Sequence, residues 1–502
     1  MLKNVTEWLD DTAMRLPDKT AFSNGEQSLT FARLREESRS CATELLKRGL
    51  FKQPVVIAMD REPHIISAFM GAAYSGNFYV PLDISMPAAR VSRIIEKLRP
   101  AAYIASPEVM GLLISAGADG NMIIPFPEAI NSEPDDKLLA DAYGKQTDTD
   151  ILYVLFTSGS TGEPKGVCIS QRNVIDYSNA ITDTFSLDES AIFGQTIPFT
   201  FDSSILYIYQ TLQNGCTTYI IPKVCSSFPV KMIEFLNKYK INTIYWVPTS
   251  YNIIARSGIL DIKAPEYLRR LWFVGEVMPN SVLNIWRKAL PDAQYANLFG
   301  PTEITDTFVY YIIDRDFDDC EPLPIGKPYP NVEVLILDGQ DKLCPPGETG
   351  ELCVRGTKVS CGYYNDPERT EKVFAQNPLN NAYREIIYRT GDLGYINQYG
   401  EIMFAGRKDS QIKHYGHRIE LGEIEAAAGT VGGIDMCACV YDDDKGRIAL
   451  FYTGNADDKD IIKELKLKIQ QYMLPNFIKK LDALPRNLSG KIDRMALKNS
   501  LT

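Results

Sequence analysis

Short apolar, β-branched runs alternate along this chain with longer stretches of helical period, and that alternation leaves few folds open. The runs include Val55 to Met59, Ala102 to Ala105, Ile151 to Phe156, Thr218 to Ile221, Thr243 to Val247 and Leu271 to Val274; the helical stretches include Phe31 to Arg48 and Ala88 to Leu98. Runs apolar on both faces read as strands buried in a parallel sheet, and parallel strands need crossover helices. An α/β body is expected. Val332 to Leu337 and Gly350 to Arg355 are separated by turn chemistry at Gln340-Asp341 and Pro345-Pro346-Gly347, which predicts a smaller, more antiparallel β region. After Gly406-Arg407-Lys408-Asp409 a fresh strand and helix pattern begins (Ile419 to Ala428, Met436 to Tyr441, Ile448 to Tyr452, Ile461 to Tyr472), placing a domain boundary near Lys408 and Asp409.

A chain of 502 residues, 45% hydrophobic and 23% charged, can bury a large core and is neither disordered nor a small stapled scaffold. The net charge of −11 argues against a surface built to hold nucleic acid. From Lys463 to Thr502 the sign reverses, with nine Lys/Arg against three acids; this is either a solvated helix face or a surface for phosphate or an acidic partner. Ten scattered cysteines without C-x-x-C spacing suggest reduced, cytosolic usage. The first residues carry Glu7, Asp10 and Asp11 and no secretory core, and no run reaches the ~18 apolar residues of a membrane span, so a cytoplasmic protein without membrane insertion is expected. Three histidines (His64, His414, His417) give poor support to a zinc site or a Ser-His-Asp hydrolase. Eleven residues follow Lys491, so no downstream fused carrier domain is expected.

The stretch Leu155 to Val167 (LFTSGSTGEPKGV) feeds a β-run into a loop of hydroxyls and glycines with one lysine. Such a loop offers unhindered backbone N–H groups and Ser/Thr donors to phosphate oxygens. It lacks the G-x-x-x-x-G-K-[ST] spacing of the P-loop, and alone it could equally be a flexible turn.

Other motifs stand beside it in order: YSGNFYVPLD (Tyr74 to Asp83), Phe201-Asp202-Ser203-Ser204, NLFGPTE (Asn297 to Glu303), GELCVRGTKVSCGYY (Gly350 to Tyr364), YRTGD (Tyr388 to Asp392), GRKDSQIKHYGHRIELGEIE (Gly406 to Glu425) and NLSGKIDR (Asn487 to Arg494). On these the chain resembles the adenylate-forming superfamily, and within it the amino-acid adenylation domains of nonribosomal peptide synthetases and the stand-alone D-alanine carrier-protein ligases. The resemblance implies a large N-terminal adenylate-forming domain (1–408), made of α/β subdomains and a small β-barrel-like subdomain, and a small mobile α+β C-terminal domain (409–502) hinged at Asp409. It also implies two half-reactions. A carboxylate and MgATP give an acyl-adenylate and pyrophosphate, and a phosphopantetheine thiol on a separate carrier protein then takes the acyl group.

By the same resemblance, Thr157, Ser158, Gly159, Ser160, Thr161, Gly162 and Lys165 form the phosphate loop. Lys491 bridges substrate carboxylate and phosphate, Glu303 holds Mg²⁺, and Thr302 donates to the α-phosphate. Asp392 takes the ribose hydroxyls with Arg407 nearby; Phe299 stacks on adenine, Asn297 reads its amine, and Gly275, Glu276 and Gly300 lie close to the nucleotide. Gly416 lets the pantetheine arm pass. The substrate pocket falls to Asp202, Ser203, Leu206, Tyr245, Trp272, Val274, Leu298, Asp306 and Thr307, together with Lys491. Asp202 matches the aspartate that pairs with a substrate ammonium, although its place before Ser203, Ser204 and Ile205 to Leu212 also suits a helix N-cap. Tyr245 and Trp272 fit a small substrate side chain or form the wall of an aromatic pocket. Asp306 departs from the usual apolar residue, and a buried carboxylate needs a partner, on the substrate or on the protein. Val274 replaces a cysteine typical of the D-alanine enzymes. An acyl-CoA ligase is disfavoured by Asp202, and a silent assembly-line subunit by the full set of Thr157, Glu303, Asp392, Arg407 and Lys491.

Overall fold

The computed structural model describes residues 2–158, 163–319, 321–409, 411–442, 445–486 and 492–501. Two large sheets carry the first part of the chain. One has six strands in the order Ile123–Pro125, Ala102–Ala105, Pro54–Ala58, Phe78–Pro81, Ile151–Thr157, Lys165–Ser170, parallel except for the last pair. The other has nine. Its middle strands, Gln294–Phe299, Arg270–Val274, Thr243–Trp246, Ile192–Gln195, Thr217–Ile220 and Thr20–Ser23, run parallel, and antiparallel strands close both edges.

Local sequence explains these elements. Pro54–Ala58 and Phe78–Pro81 are buried at every position, as strands covered on both faces must be. Helix Ala88–Leu98 turns Val91, Ile94 and Leu98 inward at spacings of three and four, and it stops at the left-handed Arg99 just before Pro100. Helix Gln171–Phe185 starts on a capping box in which Ser170 and Asn173 satisfy each other's backbone. One apolar core joins the two large sheets, with Phe69, Tyr79, Tyr153, Tyr207 and Leu298 among its members.

The antiparallel region is a five-stranded sheet of Val332–Leu337, Gly350–Gly356, Phe374–Gln376, Ile386–Ile396 and Ile402–Arg407. From Gln411 onward the chain makes a hairpin, Gln411–His414 with His417–Glu420, and a three-stranded sheet of Ile434–Asp442, Arg447–Gly454 and Phe477–Lys480. Ile419, Ile424, Leu450, Ile461 and Met473 form a core of their own there. The helix expected over Ile461 to Tyr472 is shorter, Asp458–Lys466. Ile461, Leu465, Ile469 and Met473 keep their spacing and burial, but the chain leaves the helix after Lys466 and a short turn follows at Gln471–Met473. Among the described residues no helix is long and apolar enough to cross a membrane, and the nine described cysteines are all free.

Candidate active site

The carboxyl ends of the parallel strands open onto one cleft, the place where open α/β sheets bind ligands. Ile151–Thr157 delivers Thr157 and Ser158; Ile192–Gln195 leads to Phe201, Asp202 and Ser203; Arg270–Val274 delivers Val274 and Gly275; Gln294–Phe299 leads to Gly300 and Thr302. Asp392 and Arg407 come from the antiparallel sheet. The hairpin of the small unit closes the other side with Gln411, Lys413, Gly416 and Arg418, and the turn after helix Asp458–Lys466 adds Gln470 and Tyr472. A cavity of about 110 Å³ remains between them.

Glu303, next to the cavity-lining Thr302, is wholly buried. One carboxylate oxygen accepts from Lys165 Nζ at 3.0 Å and Tyr363 OH at 2.7 Å, the other from Arg418 Nη1 at 2.7 Å. Burial alone would raise this carboxyl, but the charges of Arg418 and Lys165 overcome it and hold the group well below the usual carboxylate range. Lys165 is itself pushed down by burial and by the neighbouring Arg418.

Asp202 lines the cavity with neutral donors only: Ser203 N at 2.8 Å on one oxygen and Thr302 Oγ1 at 2.6 Å on the other. No cation among the described residues forms an ion pair with it, and burial raises its carboxyl. The N-cap reading is corrected by the geometry. Helix Ser204–Asn214 starts after Ser203 with no side-chain cap, and Asp202 bonds the adjacent N–H instead of one a turn further on. Asp306 is also buried, and its partners are on the protein: Ser203 Oγ at 2.9 Å, Tyr177 OH at 2.6 Å and Tyr245 OH at 2.9 Å. Leu206, Trp272, Leu298 and Thr307 are packed in the interior, Trp272 against the Phe185 ring at 4.2 Å.

Asp392 accepts from Arg407 Nη1 at 2.5 Å, while Arg407 also grips both oxygens of Asp409 at 2.7 Å. Asn297 donates to Pro324 O at 2.8 Å, and Lys413 Nζ stands 4.7 Å over the Phe299 ring. Gly275 has a φ of 90°, and Glu276 next to it accepts from Thr249 N and Oγ1 and from Gly416 N at 2.6 Å. Ser158 Oγ donates to Arg418 O at 2.8 Å. Gly159, Ser160, Thr161, Gly162 and Lys491 lie outside the described residues.

Thr157 Oγ1 is buried without a partner among the described residues, at the rim of a cavity already edged by cations, and that suits a phosphate oxygen. For Mg²⁺, Glu303 is the right kind of hard oxygen donor, but in this posture Lys165 and Tyr363 engage one of its oxygens and Arg418 the other. Motif reading assigned Arg407, Asp409 and Gly416 but missed Arg418, Lys413 and Tyr363. Glu303 and Arg418 are 115 residues apart, and no periodicity brings such a pair together.

A cleft at the strand ends edged by Arg407, Lys413 and Arg418 suits an anionic ligand. The chain belongs to the AMP-binding enzyme family, whose model matches residues 9–364. It is 32% identical over 498 residues to the Delta-poly-L-ornithine synthetase of Acinetobacter baumannii, covering 97% of this chain and 36% of that protein, so it spans about a third of that relative's length. To the D-alanine--D-alanyl carrier protein ligase of Listeria monocytogenes it is 30% identical over the full length of both. Among solved structures it superposes on IdnL1 with a TM-score of 0.83 and 25% identity, covering 97% of this chain and 99% of that one.

Proposed function

We propose that this protein activates an amino acid with ATP as the aminoacyl-adenylate and passes it to the phosphopantetheine thiol of a separate carrier protein. One observation carries the amino-acid part: Asp202 is a half-buried carboxylate on the cavity wall that meets neutral donors only, which suits an ammonium group as its partner. The two relatives reported above, named for polyornithine synthesis and for D-alanylation of a carrier, support the same reading.

In the first half-reaction an oxygen of the amino-acid carboxylate attacks the α-phosphorus of ATP and pyrophosphate leaves. Both partners are anions, so cations must line their approach. Arg407, Lys413 and Arg418 stand at the cavity, and Lys491 is assigned the bridging role by its motif. Thr157 donates to a phosphate oxygen; Thr302, whose only hydroxyl hydrogen lies on Asp202 here, takes up its part at the α-phosphate by releasing Asp202 to the ammonium; Asp392 holds the ribose, and Phe299 and Asn297 belong to the adenine side. In the second, the thiol sulfur forms its bond to the acyl carbon as the bond to AMP breaks, with the arm entering past Gly416. Glu303 keeps its proposed part in holding Mg²⁺ for an arrangement in which Arg418 has withdrawn. Domains of 1–408 and 409–502, turning about Asp409, complete the proposal, as does a cytoplasmic site of action in keeping with free cysteines. The basic Lys463 to Thr502 segment suits an acidic carrier.

The test is ATP–pyrophosphate exchange across L-amino acids, glycine, D-alanine and fatty acids, followed by transfer to pantetheine. Exchange with one amino acid supports the reading. Exchange with a fatty or aryl acid and with no amino acid moves the protein to the acyl-CoA ligases.

A further inference from the structure

Ser203 stands between two carboxylates, Asp202 on the cavity wall and the buried Asp306. Its hydroxyl is 2.9 Å from Asp306 Oδ1 and 3.4 Å from Asp202 Oδ1. A serine hydroxyl has one hydrogen and two acceptor lone pairs, and at these distances the hydrogen goes to Asp306. We propose that Asp306 is a positioning residue for amino-acid recognition: by taking the only proton of Ser203 it makes that oxygen an obligate acceptor beside Asp202, so that a substrate ammonium meets two acceptors. This rests on the reading of Asp202 as the ammonium's partner.

The arrangement around Asp306 suits that role. Asp202 and Ser203 line the cavity, whereas Asp306, Tyr177 and Tyr245 stand behind them. Tyr177 and Tyr245 both donate to Asp306 Oδ2, which leaves Oδ1 for Ser203. Lys358, completely buried, lies over the Tyr329 ring at 3.8 Å and the Tyr177 ring at 5.1 Å without an ion pair among the described residues, and burial lowers its ammonium to about 7, so it is only partly charged near neutral pH. Asp306 has a φ of 70° and follows Thr305 at 55°. Asp and Asn both tolerate this left-handed backbone, so Asp306→Asn removes the charge while respecting the turn.

The groups facing Asp306 are Asp202, Ser203, Tyr177, Tyr245, Tyr329 and Lys358. Burial, and then the charge of Asp202, push the Asp306 carboxyl up to about 7. Once protonated, Asp306 no longer needs the Ser203 hydrogen, and the second acceptor for the ammonium is lost.

Amino-acid-dependent pyrophosphate exchange is the readout. Asp306→Asn is expected to raise the KM for the amino acid about tenfold, since a neutral amide oxygen holds the Ser203 hydrogen less strongly than the carboxylate does, and to leave the KM for ATP and kcat near their starting values. Discrimination between the amino acid and its desamino analogue should narrow. The wild-type KM should rise as pH falls from about 8 to about 6, and this rise should flatten in the variant. Ser203→Ala should reproduce the KM change, and the double variant should go no further than either single one. If Asp306→Asn folds poorly, Ser203→Ala carries the test. An unchanged KM and unchanged discrimination overturn the proposal, as does a parallel loss in kcat and in both KM values. Failure of the underlying reading is separate: it appears as wild-type exchange with no amino acid, before any substitution is made.

Discussion

Gly416 sits at the tip of the hairpin that enters the cleft, with a φ of 76°, and a Cβ placed there would lie 2.5 Å from Val247 Cγ1. Alanine at this position meets two costs. The left-handed backbone contributes about 1–2 kcal/mol, and the overlap with Val247, relieved only by moving one of the two, adds about 1–3 kcal/mol. Together these make about 2–5 kcal/mol against the docked hairpin, a bias of roughly 30-fold to a few thousandfold. The residues on the strand side of the cleft, Thr157, Asp202 and Thr302, keep their surroundings. Gly416→Ala should therefore spare amino-acid-dependent pyrophosphate exchange and slow single-turnover transfer from preformed adenylate to the pantetheine thiol by a factor in that range. Val247→Ala should recover the part due to overlap in the double variant and leave the backbone part. Exchange and transfer falling together, or transfer unaffected by Gly416→Ala, would refute the reasoning.

Lys165→Met leaves Glu303 with one cation in place of two and should lower stability by about 3 kcal/mol, seen as a shift in the denaturant midpoint. Glu303 is held below its ordinary value of 4.5, so its stabilising contribution is complete above that pH and is lost as pH falls further; Glu303→Gln should flatten the acid limb of the stability profile. Asp306 has the opposite sign. Its native carboxyl is raised to about 7, so stability falls as pH rises from about 4 to 7 and is level above, and Asp306→Asn should abolish that fall in thermal melts across the window. Asp392→Asn should raise the KM for ATP about tenfold with little effect on the amino-acid KM, measured by exchange.

Most of the architecture was legible in the sequence because burial on both faces writes itself as unbroken apolar runs. Ala102–Ala105, buried throughout, falls where such a run places it, while Val332–Leu337 and Ala88–Leu98 fall where turn chemistry and helical period place them. The exception, the early end of the helix after Lys466, shows that i, i+4 burial at Ile461, Leu465, Ile469 and Met473 does not require helix throughout. At the site, the strand-end loops could be read from their motifs. The contacts from the small unit could not. Arg418 on Glu303, Gly416 on Glu276 and Lys413 over Phe299 depend on how one body is set against another, which neither spacing nor propensity encodes. Asp306 was visible as an oddity, but its three hydroxyl partners lie 61, 103 and 129 positions away, so only the fold could choose between substrate and protein.

Glu303 belongs to the large body, yet one of its oxygens is held by Arg418 of the small unit, and a second buried pair, Arg90 with Glu423, ties the same two parts together. A contact shared in this way makes docking and occupancy thermodynamically reciprocal. Any cation that claims Glu303 must displace Arg418, and it loosens the docked posture by as much free energy as docking takes from its own affinity. The carboxylate therefore works as a coupling point: its strength of attachment to Arg418 sets how firmly the state of the cleft dictates the posture of the molecule.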